Sequence, residues 1–225
     1  MRPLIRRPFA SLNRTYDALA VLILRLEARR QPISHEWAER FAAIFGQMKR
    51  HHRWLTGSED LPACALLVPQ AGSPQEIGSG VERIYQGLSD HGFSMGNSLQ
   101  AAANFLFCAR LDVAVAVERF ADLANAFRSA GVSIWQSDYD ELALLSFVDA
   151  PVSSVVESVL DHRERIERLR AWPSRSLTFN LAASLEFVRG VRLDGAPFIA
   201  DAKALVDMQV ILHTRHAAAT ASAGH

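Results

Sequence analysis

Lysine is almost missing from this chain. Of its 225 residues only Lys49 and Lys203 are lysine, and arginine carries nearly all the positive charge. That pattern fits genomic composition rather than a function. Excess charge of one sign is missing as well, since Lys and Arg total 24 and Asp and Glu total 24. A neutral chain has no overall pull toward nucleic acid or an anionic membrane. Cysteine is limited to Cys64 and Cys108, both in apolar stretches. They read as buried, reduced thiols at comparable places in two neighbouring helices. Near the start the longest apolar run, Ala18–Leu24, is far too short to span a bilayer. Arg6-Arg7 resembles a twin-arginine signal, but Asn13, Arg14 and Asp17 interrupt the apolar run such a signal needs. These absences predict a soluble cytoplasmic protein. Catalytic motifs are missing too: there is no Gly-rich phosphate loop, nucleophile elbow, CxxC or HExxH.

What the chain does have is helix, in a composition 49% hydrophobic and so able to bury a sizeable core. Residues 51–68, HHRWLTGSEDLPACALLV, read as one helix ending, a tight polar turn and the next helix beginning. Lys49 to Arg53 place cations at the partial negative end of the first helix. Thr56-Gly57-Ser58 is turn chemistry, Asp60 reads as the N-cap of the next helix, and Pro62 suits its first turn.

The same grammar runs through the whole chain. An irregular arm is expected over 1–13. Helices follow from Thr15 to about Arg29 and from His35 to about His52, the second capped by Ser34. From there long amphipathic helices alternate with shorter, more apolar ones. The long ones carry Ala38-Glu39-Arg40, Val81-Glu82-Arg83, Val117-Glu118-Arg119 and Val156-Glu157-Ser158 in their first halves. The short ones carry Cys64–Leu67, Ala103–Leu106, Leu142–Leu145 and Leu181–Leu185. The period is roughly 36–43 residues, the range of two-helix repeats. Asn97 with Gln100, and Ser137 with Asp140, read as caps of short helices. The segment from Pro197 to about His216 is expected to close the far end and 217–225 to fray. The expected fold is therefore all-α, a two-layer, α-solenoid-like helical-repeat array of about ten helices in a single domain over 14–216. A non-solenoid helical bundle built from the same elements is the alternative.

Two motif blocks carry a resemblance. His52-Arg-Trp-Leu-Thr56 with Asp60, and Gly92-Phe93 with Gly96-Asn97-x-Leu99-Gln100, resemble the bacterial family catalogued as domain of unknown function 4003. The resemblance covers roughly Phe41 to Phe187. The family pattern often places a second Asp before the Asp60 position and Tyr after it, where this chain has Glu59 and Leu61. The resemblance implies a cytoplasmic helical bacterial protein and no particular reaction.

The candidate site lies where the first two repeats join. In stacked repeats equivalent turns line up along one rim, so His52, Thr56, Asp60, Asn97 and Gln100 are the candidate ligand-binding residues. His52, Asp60 and His91 are the set to consider for a divalent metal, against which stands the plain reading of helix-end cations and a cap. Lys49–Trp54 is one short basic run in a neutral chain, and helix-end electrostatics accounts for it without nucleic acid. The alternating charges of Arg163–Arg170 read as a solvated face with Glu164–Arg168 paired at (i, i+4), and His35-Glu36 and His162-x-Glu164 as isolated pairs on exposed faces. The expected function is a binding or scaffold module for a peptide, protein or small polar ligand, with no cofactor, no metal and no membrane. The alternative is a small metal-dependent or small-molecule enzyme using His52, Asp60, His91 and Asn97.

Overall fold

The computed structural model describes residues 14–52, 55–168 and 175–190. Among the described residues the chain is all helical, with nine α-helices and no strand. They are α1 Arg14–Glu27, α2 His35–His51, α3 Leu61–Leu67, α4 Pro74–Asp90, α5 Asn97–Cys108, α6 Val113–Ser129, α7 Tyr139–Leu145, α8 Val152–Arg168 and α9 Arg175–Gly190. Single 3-10 turns, Ser58–Asp60 and Gln136–Asp138, lead into α3 and α7. The N-terminal arm, Trp54, the closing segment over 197–216 and the tail lie outside the described residues.

Local chemistry starts and stops these helices. The Ser34 hydroxyl accepts from the Trp37 amide at 3.2 Å and opens α2. Ser73 and Glu76 form a reciprocal capping box at α4, with Pro74 in the first turn. The α4 and α6 ends share one stop. Gly92 and Gly131 take positive φ, 85° and 79°. The amides of Phe93 and Val132 reach back to the carbonyls of Leu88 and Phe127 at 3.2 and 2.9 Å. This is the Schellman arrangement, and Phe93 and Val132 tuck into the core behind it.

The helices touch at every second step along the chain. The long helices α2, α4, α6 and α8 contact one another in that order, and so do α1, α3, α5, α7 and α9. Each long helix also packs on the short helix that follows it. Phe41, Ile44, Ile84, Tyr85, Phe120 and Phe127 are fully buried where the two sets meet. α3 and α5 run parallel, because Gln100 near the start of α5 bonds Asp60, while Cys108 at its end lies 3.9 Å from the Leu66 carbonyl. The long helices approach closely enough to need glycine: a Cβ on Gly78 of α4 would lie 2.7 Å from the Gln47 Cβ of α2.

One joint occurs twice. The Arg40 guanidinium of α2 donates to the carbonyls of Val68, Gln70 and Gly72 beyond α3, at 2.7, 2.6 and 2.8 Å. The Arg119 guanidinium of α6 donates to the carbonyls of Ser146, Val148 and Ala150 beyond α7. The two joints share one layout: in both, a long helix clamps the loop beyond the next short helix and supplies donors to its carbonyls.

Three expectations need correction here. His162 is not isolated, because its ring reaches the Glu186 carboxylate of α9 at 3.6 Å. That carboxylate also takes Ser158 at 2.5 Å and two donors from Arg189. The cysteines are buried, but Cys64 sits within α3 while Cys108 closes α5, so their positions are not comparable. His35 pairs with Glu39 one helical turn on, at 3.4 Å, rather than with Glu36. The solvated face of α8 is as expected, with Glu164–Arg168 at 2.6 Å. Among the described residues no helix is long and apolar enough to cross a membrane.

Candidate functional site

The turn into α3 is built from its backbone outward. α2 ends at His52, whose carbonyl accepts from the Thr56 amide at 2.9 Å. The Thr56 hydroxyl donates to the Met48 carbonyl at 3.2 Å, closing the turn over the helix end. Asp60 then folds back. One of its carboxylate oxygens accepts from the Gly57 amide at 2.9 Å, and the other accepts from the Gln100 amide group of α5 at 3.2 Å. The same Gln100 nitrogen donates to the Thr56 hydroxyl oxygen at 3.2 Å. Thr56, Asp60 and Gln100 thus form one buried cluster that fastens the turn to the neighbouring short helix.

The caps read from sequence are replaced by this cluster. Asp60 makes no side-chain cap on α3, because its carboxylate is used on the turn behind it. Gly96 occupies the cap position of α5 with φ 145°, Asn97 is the first helical residue, and Gln100 turns toward α3 instead of back to its own helix start. The Asn97 amide donates to the Glu59 carboxylate at 3.3 Å on the outside of the joint. In the second copy the Asp138 carboxylate accepts from the Trp135 amide at 2.8 Å, as Asp60 does from Gly57. Ser137 donates to Asp138, next to it in the turn. Aspartate in the fourth place of Gly57-Ser-Glu-Asp60 and Trp135-Gln-Ser-Asp138 was the sequence signal for this shared turn.

His52 faces a different set of groups. Its imidazole Nε2 lies 2.7 Å from the Glu82 carboxylate of α4. His51 approaches the same carboxylate at 3.9 Å, and the His52 ring sits 4.2 Å from that of Tyr85. Tyr85 in turn accepts from the Gly96 amide at 3.2 Å, which links this cluster to the start of α5. His91 is the exposed C-cap of α4, with its Nδ1 2.8 Å from the Gly87 carbonyl. Among the described residues no three His, Cys, Asp or Glu side chains are grouped to hold a metal ion.

Burial dominates the electrostatics of the joint. Asp60 is only 4% exposed. Loss of solvent raises its carboxyl from 3.8 to about 7, the Gly57 amide opposes that shift, and the nearby Glu59 charge adds to it. Burial also pushes the Cys64 thiol well up, with Asp60 adding to it.

Two residues that sequence reasoning passed over complete the rim. Met95, in the turn into α5, is 62% exposed, and Trp135, in the turn into α7, is 67% exposed. The turns are neighbours, since the Ser94 amide donates to the Tyr139 hydroxyl at 3.1 Å. Phe93, Phe120 and Tyr139 stack edge to face beneath them, with centroids 4.8–6.0 Å apart.

The fold and these joints define an all-helical protein of alternating long and short helices, tied by repeated Asp turns and Arg clamps. The chain belongs to the family described as protein of unknown function (DUF4003), whose model matches residues 7–199. It is similar to the uncharacterized protein YeaA of Bacillus subtilis (strain 168), with 25% identity over 188 residues, covering 80% of this chain and 53% of the relative. The chain thus spans about half the length of that curated relative. No solved structure matches it.

Proposed function

We propose that the protein is a non-catalytic binding module, a helical-repeat array whose rim of turns at the starts of α3, α5 and α7 takes a peptide or protein segment. The observation that carries this reading is the exposure of Met95 and Trp135 on adjacent turns of that rim. Large side chains of this kind act as interface anchors when they stand on a rigid support. The support here is the aromatic stack of Phe93, Phe120 and Tyr139 and the buried Thr56–Asp60–Gln100 cluster. Asn97 and Glu59, paired at the surface, supply polar contacts beside the anchors.

A random peptide library selected on the full chain tests this. Binders should lose tenfold or more in affinity with Trp135→Ala or Met95→Ala, and keep it with Val188→Ala on α9. Selected binders that ignore both rim substitutions would overturn the reading.

A second reading is a small enzyme working at His52, Asp60, His91 and Asn97. One observation favours it: the Asp60 carboxyl is raised to about 7, where a carboxyl can exchange protons under ordinary conditions. The recurrence of the same turn at Asp138 favours a structural joint instead.

A further inference from the structure

The Asp60 joint is asymmetric in its hydrogen bonding. The carboxylate is buried, and its two bonds come from neutral donors, the Gly57 amide and the Gln100 side chain. Among the described residues no cationic side chain pairs with it. Gln100 Oε1 is also buried and has no hydrogen-bond partner. The site therefore holds one acceptor more than its described donors satisfy, and when Asp60 is ionised it holds a buried charge that no described cation pairs.

Among the described side chains, the elements packed on the turn bring no cation against it. Within the turn the nearest charge is Glu59, another carboxylate. α5 presents the amides Asn97 and Gln100. α1, which packs on the same 3-10 turn, begins at Arg14, has the acidic Asp17 in its first turn, and spends Arg25 of its last turn on the Arg30 carbonyl. α3 presents the neutral Cys64 thiol. The His52 ring is directed to Glu82 and Tyr85.

We propose that Asp60 is a proton-operated latch, which fastens the Thr56–Asp60 turn to α5 when it carries a proton and releases the turn when it is ionised. A proton on Asp60 removes the buried charge. An opened turn exposes the carboxyl to water, where it ionises at its ordinary value. The closed turn therefore holds the proton more tightly than the open one, and deprotonation favours opening. Release of the turn also frees the Glu59–Asn97 contact on the outer rim. The latch stands whether or not the rim is a recognition surface.

Amide hydrogen exchange of the full chain, followed by NMR from pH 5 to pH 8, tests it. After correction for intrinsic exchange, Gly57 protection should fall by up to about tenfold per pH unit below pH 7 and level off above it. Asp60→Asn keeps a donor at every pH, so its Gly57 protection should be flat. The titration of the Asp60 carboxyl, read by its carbon-13 shift, gives a measure that needs no variant. It should share the midpoint of the protection change, and Glu59→Gln should lower both together. Gly57 protection independent of pH in the wild type, or an equal pH dependence in Asp60→Asn, would overturn the latch. So would a carboxyl that titrates in the ordinary aspartate range.

Discussion

Two buried carboxyls pull the stability of this protein in opposite directions with pH. Asp60 has its carboxyl raised to about 7 in the folded chain. Between its ordinary value and 7 the folded state holds a proton that the unfolded state has released. Stability from this group is thus full at low pH, declines as pH rises through that window, and is flat above it. The slope is at most about 1.4 kcal/mol per pH unit. Glu186 behaves the other way. Burial would raise it, but the donors Arg189 and Ser158 outweigh burial and hold it below its ordinary value. Its contribution is full above that ordinary value and is lost as pH falls through the lowered one. Thermal unfolding against pH should therefore show a maximum on the acid side of neutrality. Asp60→Asn should flatten the decline toward pH 7, and Glu186→Gln should flatten the loss in acid. The thiols give a second residue-scale test. Burial pushes Cys64 well up and Cys108 to about 12. Native labelling by a bulky thiol reagent should be slow at both and become fast in denaturant.

At the scale of the element, the Arg clamps and the packed glycines carry the account. Removing the guanidinium takes the donor from two part-buried carbonyls at Arg40 and three at Arg119. Arg40→Ala and Arg119→Ala should therefore each cost about 2–3 kcal/mol in denaturant unfolding. Lysine should not restore it, since a single ammonium cannot reproduce the planar fork. Gly80→Ala should destabilise α4 despite alanine's better helix propensity, because the added Cβ meets the Phe107 ring. The helices themselves were legible in the chain, because apolar spacing and the Ser34 cap act within a few residues of the structure they start. The clamps were not, because their partners are backbone carbonyls that no residue type announces. The site was legible in part. Thr56, Asp60 and Gln100 were picked out for turn and cap chemistry, and they do meet. Their roles were misread, since a cap is decided locally while Gln100 is recruited by a turn some 40 residues away. His52 lies closer to Glu82 and Tyr85 than a reading by turns foresaw, because the long helices bring those residues together.

For the whole molecule, the contacts at every second helix place successive turns beside one another. That is why residues far apart in sequence share one edge. α9 is the last described helix of the short set, and Leu181, Leu185 and Val188 stand exposed on it. Among the described residues the most exposed large apolar side chains are Trp135 and Met95 on the rim and Val188 on this face, so these two surfaces compete for a partner. The central claim is that the rim is the one that recognises a partner. Amide shift mapping of the full chain, titrated with the tightest peptide from the library selection, tests it most directly. The account expects the largest changes at Thr56–Asp60, Phe93–Asn97 and Val132–Asp138. Changes confined to α9 around Leu181, Leu185 and Val188, with the three turns unmoved, would contradict it.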